Sequence, residues 1–413
     1  MGRPASLGDG ERSTMSRQPS VAIAGAGPIG LTAALLLGSK DIRVTVLEAN
    51  DKISDALRAS TWHPPTLDML AHYGITGRML AAGLLCPSWQ IRMHPSGDRA
   101  VFDLSVLEGE TDHPYRLQYE QSKYGHLVLD ALGALPSVTV HFSTVVTGLW
   151  QTANAVTVQA SSQGEEQEFT ADYVIGADGA RSAVRKAIDV ELSGDIYPET
   201  TILATTLFPF HEHLEGLSNV SYCWKPTGTF SLLRLPGVWR ASLYAREGQS
   251  IEQALTDEGL QNLLHDIIPD TGPIEVLESR PYRIHKRLAS TYRLGRVFLA
   301  GDAAHLNSPS GGMGMNGGLH DAFNLTEKLV SVLQGGADER VLDRYERQRR
   351  PIAEEEIIQQ AHRNRTRMQE RDPERRRGML KDLQQTIDDP AKLKAYLMKT
   401  SMIDGLRRAA ATE

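Results

Sequence analysis

Val21-Ala22-Ile23-Ala24-Gly25-Ala26-Gly27-Pro28-Ile29-Gly30 decides the fold. An apolar strand runs straight into Gly-x-Gly-x-x-Gly, and an apolar helix follows to Gly38. Each glycine has its own task. Gly25 permits the tight turn out of the strand, Gly27 lets the backbone approach a pyrophosphate, and Gly30 lets helix and strand pack closely. Pro28 and Ile29 sit at the helix start, where free N–H groups and the positive end of the helix dipole meet phosphate. A second strand, Val44 to Leu47, ends at Glu48, eighteen residues after Gly30. A carboxylate placed there accepts hydrogen bonds from an adenosine ribose and disfavours a 2′-phosphate. The turn therefore holds FAD or NAD rather than NADP.

Outward from this β-α-β start, the pattern predicts an α/β protein with a Rossmann-like nucleotide lobe. Helical spacing is expected around Thr66–His72, Thr76–Ala82 and Ser122–Leu135, and strands around Trp89–Met93 and Ala100–Leu104. From Tyr197 to Ala245 β-branched and aromatic residues alternate between Pro-Gly turns, which predicts an inserted antiparallel sheet. One helix is expected over Ile251–Ile267, another over Asn316–Leu333, and a charged helical region from Glu339 to Ala411. The resulting division gives a discontinuous nucleotide lobe (19–100, 120–190, 280–350), a second lobe (101–119, 191–279) and C-terminal helices (351–413). The arginine-rich run Arg363–Arg377, interleaved with glutamates, reads as a solvated helix face.

The 413 residues carry a formal charge of −7, which argues against nucleic acid as the main partner. No run of about eighteen apolar residues is present, so no transmembrane helix is expected. Residues 1–18 lack an apolar centre and read as a disordered leader rather than a secretory signal, with Met15 a second candidate start. The two cysteines, Cys86 and Cys223, fit neither a Cys-x-x-Cys nor a zinc spacing. They point to a reducing, cytoplasmic setting and to no metal site.

Two later segments choose between FAD and NAD. One is Gly176-Ala177-Asp178-Gly179-Ala180-Arg181-Ser182-Ala183-Val184-Arg185. The other starts Gly301-Asp302-Ala303-Ala304-His305 and continues through Pro309, Gly311, Gly312, Gly314, Met315 and Asn316. With these three motifs in order, the region Val21–Arg350 resembles the single-component flavoprotein aromatic-ring hydroxylases, typified by para-hydroxybenzoate hydroxylase. The resemblance implies a GR2-type FAD lobe, NADH or NADPH as co-substrate, and hydroxylation of a phenolic, aminoaromatic or N-heteroaromatic ring through a C4a-hydroperoxyflavin. It implies a monomer or homodimer whose partners are a small aromatic substrate and O2. It places Asp302 on the ribityl chain, Met315 and Asn316 at the N1–C2=O edge, and Gly312 and Gly314 in the loop before them. It places Arg58 and Gln121 along the cofactor, Asp178 and Arg181 between cofactor and nicotinamide donor, and the Pro309 carbonyl beside the substrate. Ser308 and Met313 depart from the family's usual residues, which bears on the shape of the substrate pocket. Epoxidation, ring cleavage or antibiotic inactivation remain alternatives on the same fold, and a non-catalytic flavin sensor is a third.

The inserted sheet offers Tyr222, Trp224, Arg234 and Tyr244 as polar residues for the substrate. Only alternate strand positions face one side, so about half must point away. Tyr222, to orient or deprotonate a phenol, and Arg234, to pair with a carboxylate, rank first. His63, five residues after Arg58, is a candidate base. No Cys or His marks a covalent flavin attachment. Acid precipitation of the yellow protein is expected to release all its colour, and colour retained in the pellet would contradict non-covalent FAD.

Overall fold

The computed structural model describes residues 18–56, 58–269 and 271–413. The leader expected for residues 1–18 lies outside them except for Gln18. Ser20–Ala24 is buried along its whole length because it lies inside a six-stranded sheet. The order across that sheet is Arg293–Leu294, Val297–Leu299, Tyr173–Gly176, Ser20–Ala24, Arg43–Leu47, Val138–His141. All pairs are parallel except the edge hairpin Arg293–Leu294/Val297–Leu299. Val21 faces Tyr173 on one side and Val44 on the other, so both glycine-bearing strand ends, Ala24 and Gly176, finish level. Helices Pro28–Gly38, Gln121–Leu132 and Met313–Leu333 pack together over this sheet, in the larger apolar core. A parallel sheet covered this way binds ligands at the carboxyl ends of its strands, where the glycine motifs lie.

The inserted sheet has eight strands, in the order His305–Leu306, Val276–Ala289, Leu192–Thr206, Val238–Tyr244, Gly228–Leu235, Val220–Lys225, Ser88–Met93, Arg99–Asp103. It is antiparallel apart from the Val220–Lys225/Ser88–Met93 pair. This moves the boundaries drawn from sequence. Residues 88–100 and 280–289, assigned above to the nucleotide lobe, belong to the inserted sheet, and a cut at 100/101 falls inside a strand. Conversely Arg116–Gln118, assigned to the second lobe, pairs with Thr61–Trp62 and Leu84–Cys86, and its Leu117 joins the nucleotide-lobe core. These strands pair with partners far away in sequence, and alternation alone does not identify the partner.

The helix expected over Ile251–Ile267 is two. Ile251–Ala254 is closed by a Ser250/Gln253 capping box, and the Thr256 hydroxyl then caps Asp257–His265. An N-cap in mid-run starts a new helix rather than extending the old one. In the C-terminal region the helices restart at Pro373 and Pro390, each capped by the preceding aspartate. The arginine run is not simply solvated. Arg376 is buried and donates to the Lys225 and Gly228 carbonyls, while Arg365 pairs with Glu199 and lies 4.0 Å over the Tyr197 ring. Part of this face therefore clamps the C-terminal helices onto the inserted sheet.

A buried ionic cluster ties helix Met313–Leu333 to the edge of the inserted sheet and to helix Asp343–Ile352. Asp321, on helix Met313–Leu333, accepts from the Arg349 Nε at 2.7 Å, from His305 Nε2 at 2.9 Å and from the Gly301 N–H at 3.2 Å. Asp321, Arg349 and His305 have fully buried side chains. Burial alone would push the Asp321 carboxyl up, but Arg349 and His305 outweigh it and hold it below the ordinary value. Such a group stabilises the fold above the ordinary carboxylate pKa of about 3.9, and that stability is lost as pH falls through its lower folded value. Asp321→Asn is expected to cost about 3–5 kcal/mol, because it leaves the Arg349 charge buried and uncompensated. Urea titrations of both proteins should show it, and a loss under about 1 kcal/mol would remove this cluster from its structural role.

Candidate active site

At the nucleotide turn the three glycines differ as their spacing predicts. Gly25 has φ +98°, and a Cβ there would sit 2.6 Å from the Ala177 carbonyl oxygen. A Cβ on Gly30 would come within 2.0 Å of the Gly25 oxygen. A Cβ on Gly27 meets no protein atom within 4 Å, so the space beside it is open. Helix Pro28–Gly38 starts there with Pro at its first position and no side-chain cap, leaving its first N–H groups for a ligand. Glu48 is braced beside the turn: Oε2 accepts the Ala26 N–H at 2.7 Å and Oε1 the Asn50 N–H at 2.9 Å. Open space, free N–H groups and a held carboxylate together fit the adenosine pyrophosphate of FAD.

A cavity of ≈ 230 Å³ lies between the nucleotide lobe and the inserted sheet. Arg58, Gln121, Asp302, Gly312, Gly314 and Met315 line the nucleotide-lobe side, with Pro309 at the loop. Asp302 opens into the cavity, and the surrounding protein raises its carboxyl pKa, an effect that His305 and Arg58 partly offset. Helix Met313–Leu333 begins at Gly312, which has φ +69° and offers no side-chain cap, so its N–H groups also face the cavity end uncapped. Asn316 works through its side chain, which is buried. Its Nδ2 donates to the Thr61 and Gly312 carbonyls and its Oδ1 accepts the His63 N–H at 3.0 Å, locking the loop in place. The Pro309 carbonyl accepts the Gly312 N–H at 2.9 Å, closing the turn that leads into this helix.

Asp178 and Arg181 stand apart from this cavity. Asp178 Oδ2 caps helix Ala183–Ala187 through the Ala183 and Val184 N–H groups, while its Oδ1 is buried without a partner. Arg181 is exposed. Arg185, quoted within that motif but given no role, is the residue that joins motifs: it donates to the Ala303 carbonyl at 2.9 Å and to the Ala180 carbonyl at 3.0 Å.

On the inserted sheet Tyr222 and Tyr244 line the cavity, together with Thr229, Ser231, Leu233 and Ser242. Arg234 does not. Thr229, Ser231 and Leu233 occupy the inward register of their strand, so Arg234 falls on the opposite face, 5.9 Å from the Trp239 ring. Trp224 is buried beyond the cavity and donates to the Arg367 carbonyl. His63 is not a base in the cavity either. It is fully buried, its Nε2 lies 2.8 Å from the Gly311 carbonyl, and it precedes helix Pro64–Ala71. A carbonyl only accepts, so Nε2 carries the proton and donates. Burial, aided by Arg116, holds its pKa well below the ordinary value, so the ring stays neutral. The sequence reading passed over Arg240, which is buried, lines the cavity and donates to the Arg58 carbonyl at 2.7 Å. Strand parity relative to Leu233 was the signal that would have favoured it over Arg234.

A GR2-type nucleotide lobe, a cavity closed by an inserted sheet and an uncapped helix at the flavin end define an FAD-dependent aromatic hydroxylase. Residues 18–361 match the FAD binding domain family, and the chain belongs to it. The chain is 32% identical over 399 residues to para-nitrophenol 4-monooxygenase of Pseudomonas sp. (strain WBC-3), covering 95% of this chain and 98% of that one. It is 33% identical over 337 residues to 6-hydroxy-3-succinoylpyridine 3-monooxygenase of Pseudomonas putida (strain DSM 28022 / S16), covering 81% and 85%. The crystal structure of p-nitrophenol 4-monooxygenase from Pseudomonas putida DLL-E4 superposes with a TM-score of 0.87 at 30% identity, covering 94% of this chain and 98% of that one.

Gly27→Val is expected to abolish FAD retention, with at least a tenfold loss of affinity, while the apoprotein melts close to wild type. Gly30→Val, by contrast, should destabilise the fold itself. Flavin absorbance per chain and apoprotein melting curves separate the two effects. A Gly27→Val protein that keeps its FAD would show that the pyrophosphate lies elsewhere.

Proposed function

We propose that this enzyme hydroxylates a small, single-ring phenol at the carbon para to its hydroxyl group, using NADH or NADPH and O2, in the cytoplasm. The observation that carries the reading is the end-to-end match with a para-nitrophenol 4-monooxygenase, 98% of whose length is covered. The cavity supports it: hydroxyl-bearing Tyr222 shares a wall with apolar Leu233, opposite the Pro309 loop, a surface suited to a ring with one polar substituent.

FAD, when bound, supplies the activation of O2 and the transfer of one oxygen atom. The chain does the rest. The uncapped start of helix Met313–Leu333 would set its dipole against the negative charge that develops on a reduced flavin. Neutral His63 and the Asn316 side chain fix the loop that carries those N–H groups. Asp302 and Arg58 hold the chain of the cofactor, and Tyr222 orients the substrate hydroxyl through its own O–H. Leu233 and Met368 keep water from the ring.

Holoenzyme challenged with a panel of phenols, anilines and hydroxypyridines should oxidise NADH or NADPH at least tenfold faster with 4-nitrophenol, where one oxygen enters at the para carbon and the nitro group leaves as nitrite, so that one quinone and one nitrite form per donor consumed. Stimulation confined to hydroxypyridines, or stimulation without product, would count against the phenol reading.

A further inference from the structure

Behind Tyr222 lies a second, smaller chamber, ≈ 30 Å³, lined among others by Trp89, Arg116, Tyr222, Ser310, Arg367 and Tyr396. Tyr222 and Ser310 also belong to the wall of the main cavity, so the two spaces adjoin at the residue after Pro309. A water needs roughly 10–15 Å³ of such space, so the chamber has room for about two water-sized groups.

Its chemistry is one-sided. Arg116 is 2% exposed and sits on the short strand Arg116–Gln118. Among the described residues its Nε and Nη1 have no hydrogen-bond partner, and neither does the indole Nε1 of Trp89 in the same wall. The guanidinium lies 4.9 Å over the Trp89 ring, which stacks on Phe102 at 4.1 Å, so it is fixed in place rather than free to swing out. Its nearest polar neighbours are Tyr222, which shares a side-chain hydrogen bond with it, Cys86 and Tyr396, and among the described residues no carboxylate pairs with it. Arg367 adds a second guanidinium, bonded to the Tyr396 hydroxyl at 3.1 Å. A buried cation without a counter-charge is costly, and three unpaired donors in one small space call for an acceptor that bears negative charge.

We infer that this chamber receives an anionic oxygen of the aromatic substrate, with Arg116 and the Trp89 indole as its donors. The class of ligand rests on the hydroxylase reading above. The charge preference rests on the chamber alone. A phenolate and a ring carboxylate share this chemistry. A ring anchored here through its phenolate oxygen presents its opposite edge, the para carbon, toward the main cavity. Stabilising the phenolate also raises electron density at that carbon, the one an electrophilic oxygen attacks.

The test uses FAD-loaded wild type, Arg116→Gln, Arg116→Lys and Trp89→Phe, with binding followed by the change in flavin absorbance. The probes are 4-nitrophenolate, its uncharged methyl ether 4-nitroanisole, and benzoate. Wild type should bind one or both anions at least tenfold tighter than the ether, with phenolate and benzoate showing which oxyanion the chamber takes. Arg116→Gln should lose that preference while its affinity for the ether changes less than threefold. Arg116→Lys should keep part of the preference, and Trp89→Phe should weaken it. Because the anion-to-ether ratio is taken within each protein, a general loss of stability does not imitate the result. An unchanged ratio in Arg116→Gln overturns the inference, as does a wild type with no preference for either anion, which would mean that the chamber holds only water. Anion preference in an enzyme that turns over no phenol would leave Arg116 in place and refute the hydroxylation reading. Turnover that ignores Arg116 would do the reverse.

Discussion

The Asp321 carboxylate, fully buried among Arg349, His305 and the Gly301 N–H, is the constraint on which the rest of the site depends. It fixes where helix Met313–Leu333 lies relative to the Gly301–His305 turn, and Arg349 ties the C-terminal helices to both. The start of that helix and Asp302 both line the cavity, so a displacement at Asp321 would move two parts of its wall together. Desolvation makes such a cluster expensive to assemble, and once buried it fixes one arrangement, because removing any one partner leaves another uncompensated.

The loop before that helix is held by a second set of contacts. His63 donates to Gly311, Asn316 bridges Thr61 and Gly312, and the Pro309 carbonyl closes the turn. None of these groups needs to touch substrate. They keep backbone N–H groups aimed before the cofactor arrives, which is how preorganised dipoles stabilise charge without reorganising during reaction.

How much of this the sequence revealed depended on whether the signal was local. Gly25, Gly27, Gly30 and Glu48 act within one turn and its neighbouring strand, and their spacing alone states their tasks. Asp302 and Met315 were placed by resemblance, and both line the cavity. Arg234 was misplaced because a strand's inward parity is fixed by its partners, which lie on other strands. His63 looked like a base from its neighbours, but its partner is a carbonyl 248 residues away. The boundaries at residues 100 and 280 failed for the same reason: Ser88–Met93 pairs with Val220–Lys225, a contact with no trace in either segment. Arg116 sits in a three-residue strand too short to show any period, so nothing in its neighbourhood singled it out.

The open turn at Gly27, the cavity lining at Arg58, Asp302 and Met315, and the brace at Arg349 span most of the chain, so no contiguous early segment contains them all. A chain emerging from the ribosome N-terminus first carries its glycine turn long before the partner surfaces exist. The strand Ser20–Ala24 must likewise wait for Tyr173–Gly176 to complete its sheet. A cofactor held by all of these surfaces would therefore load only after synthesis is nearly finished.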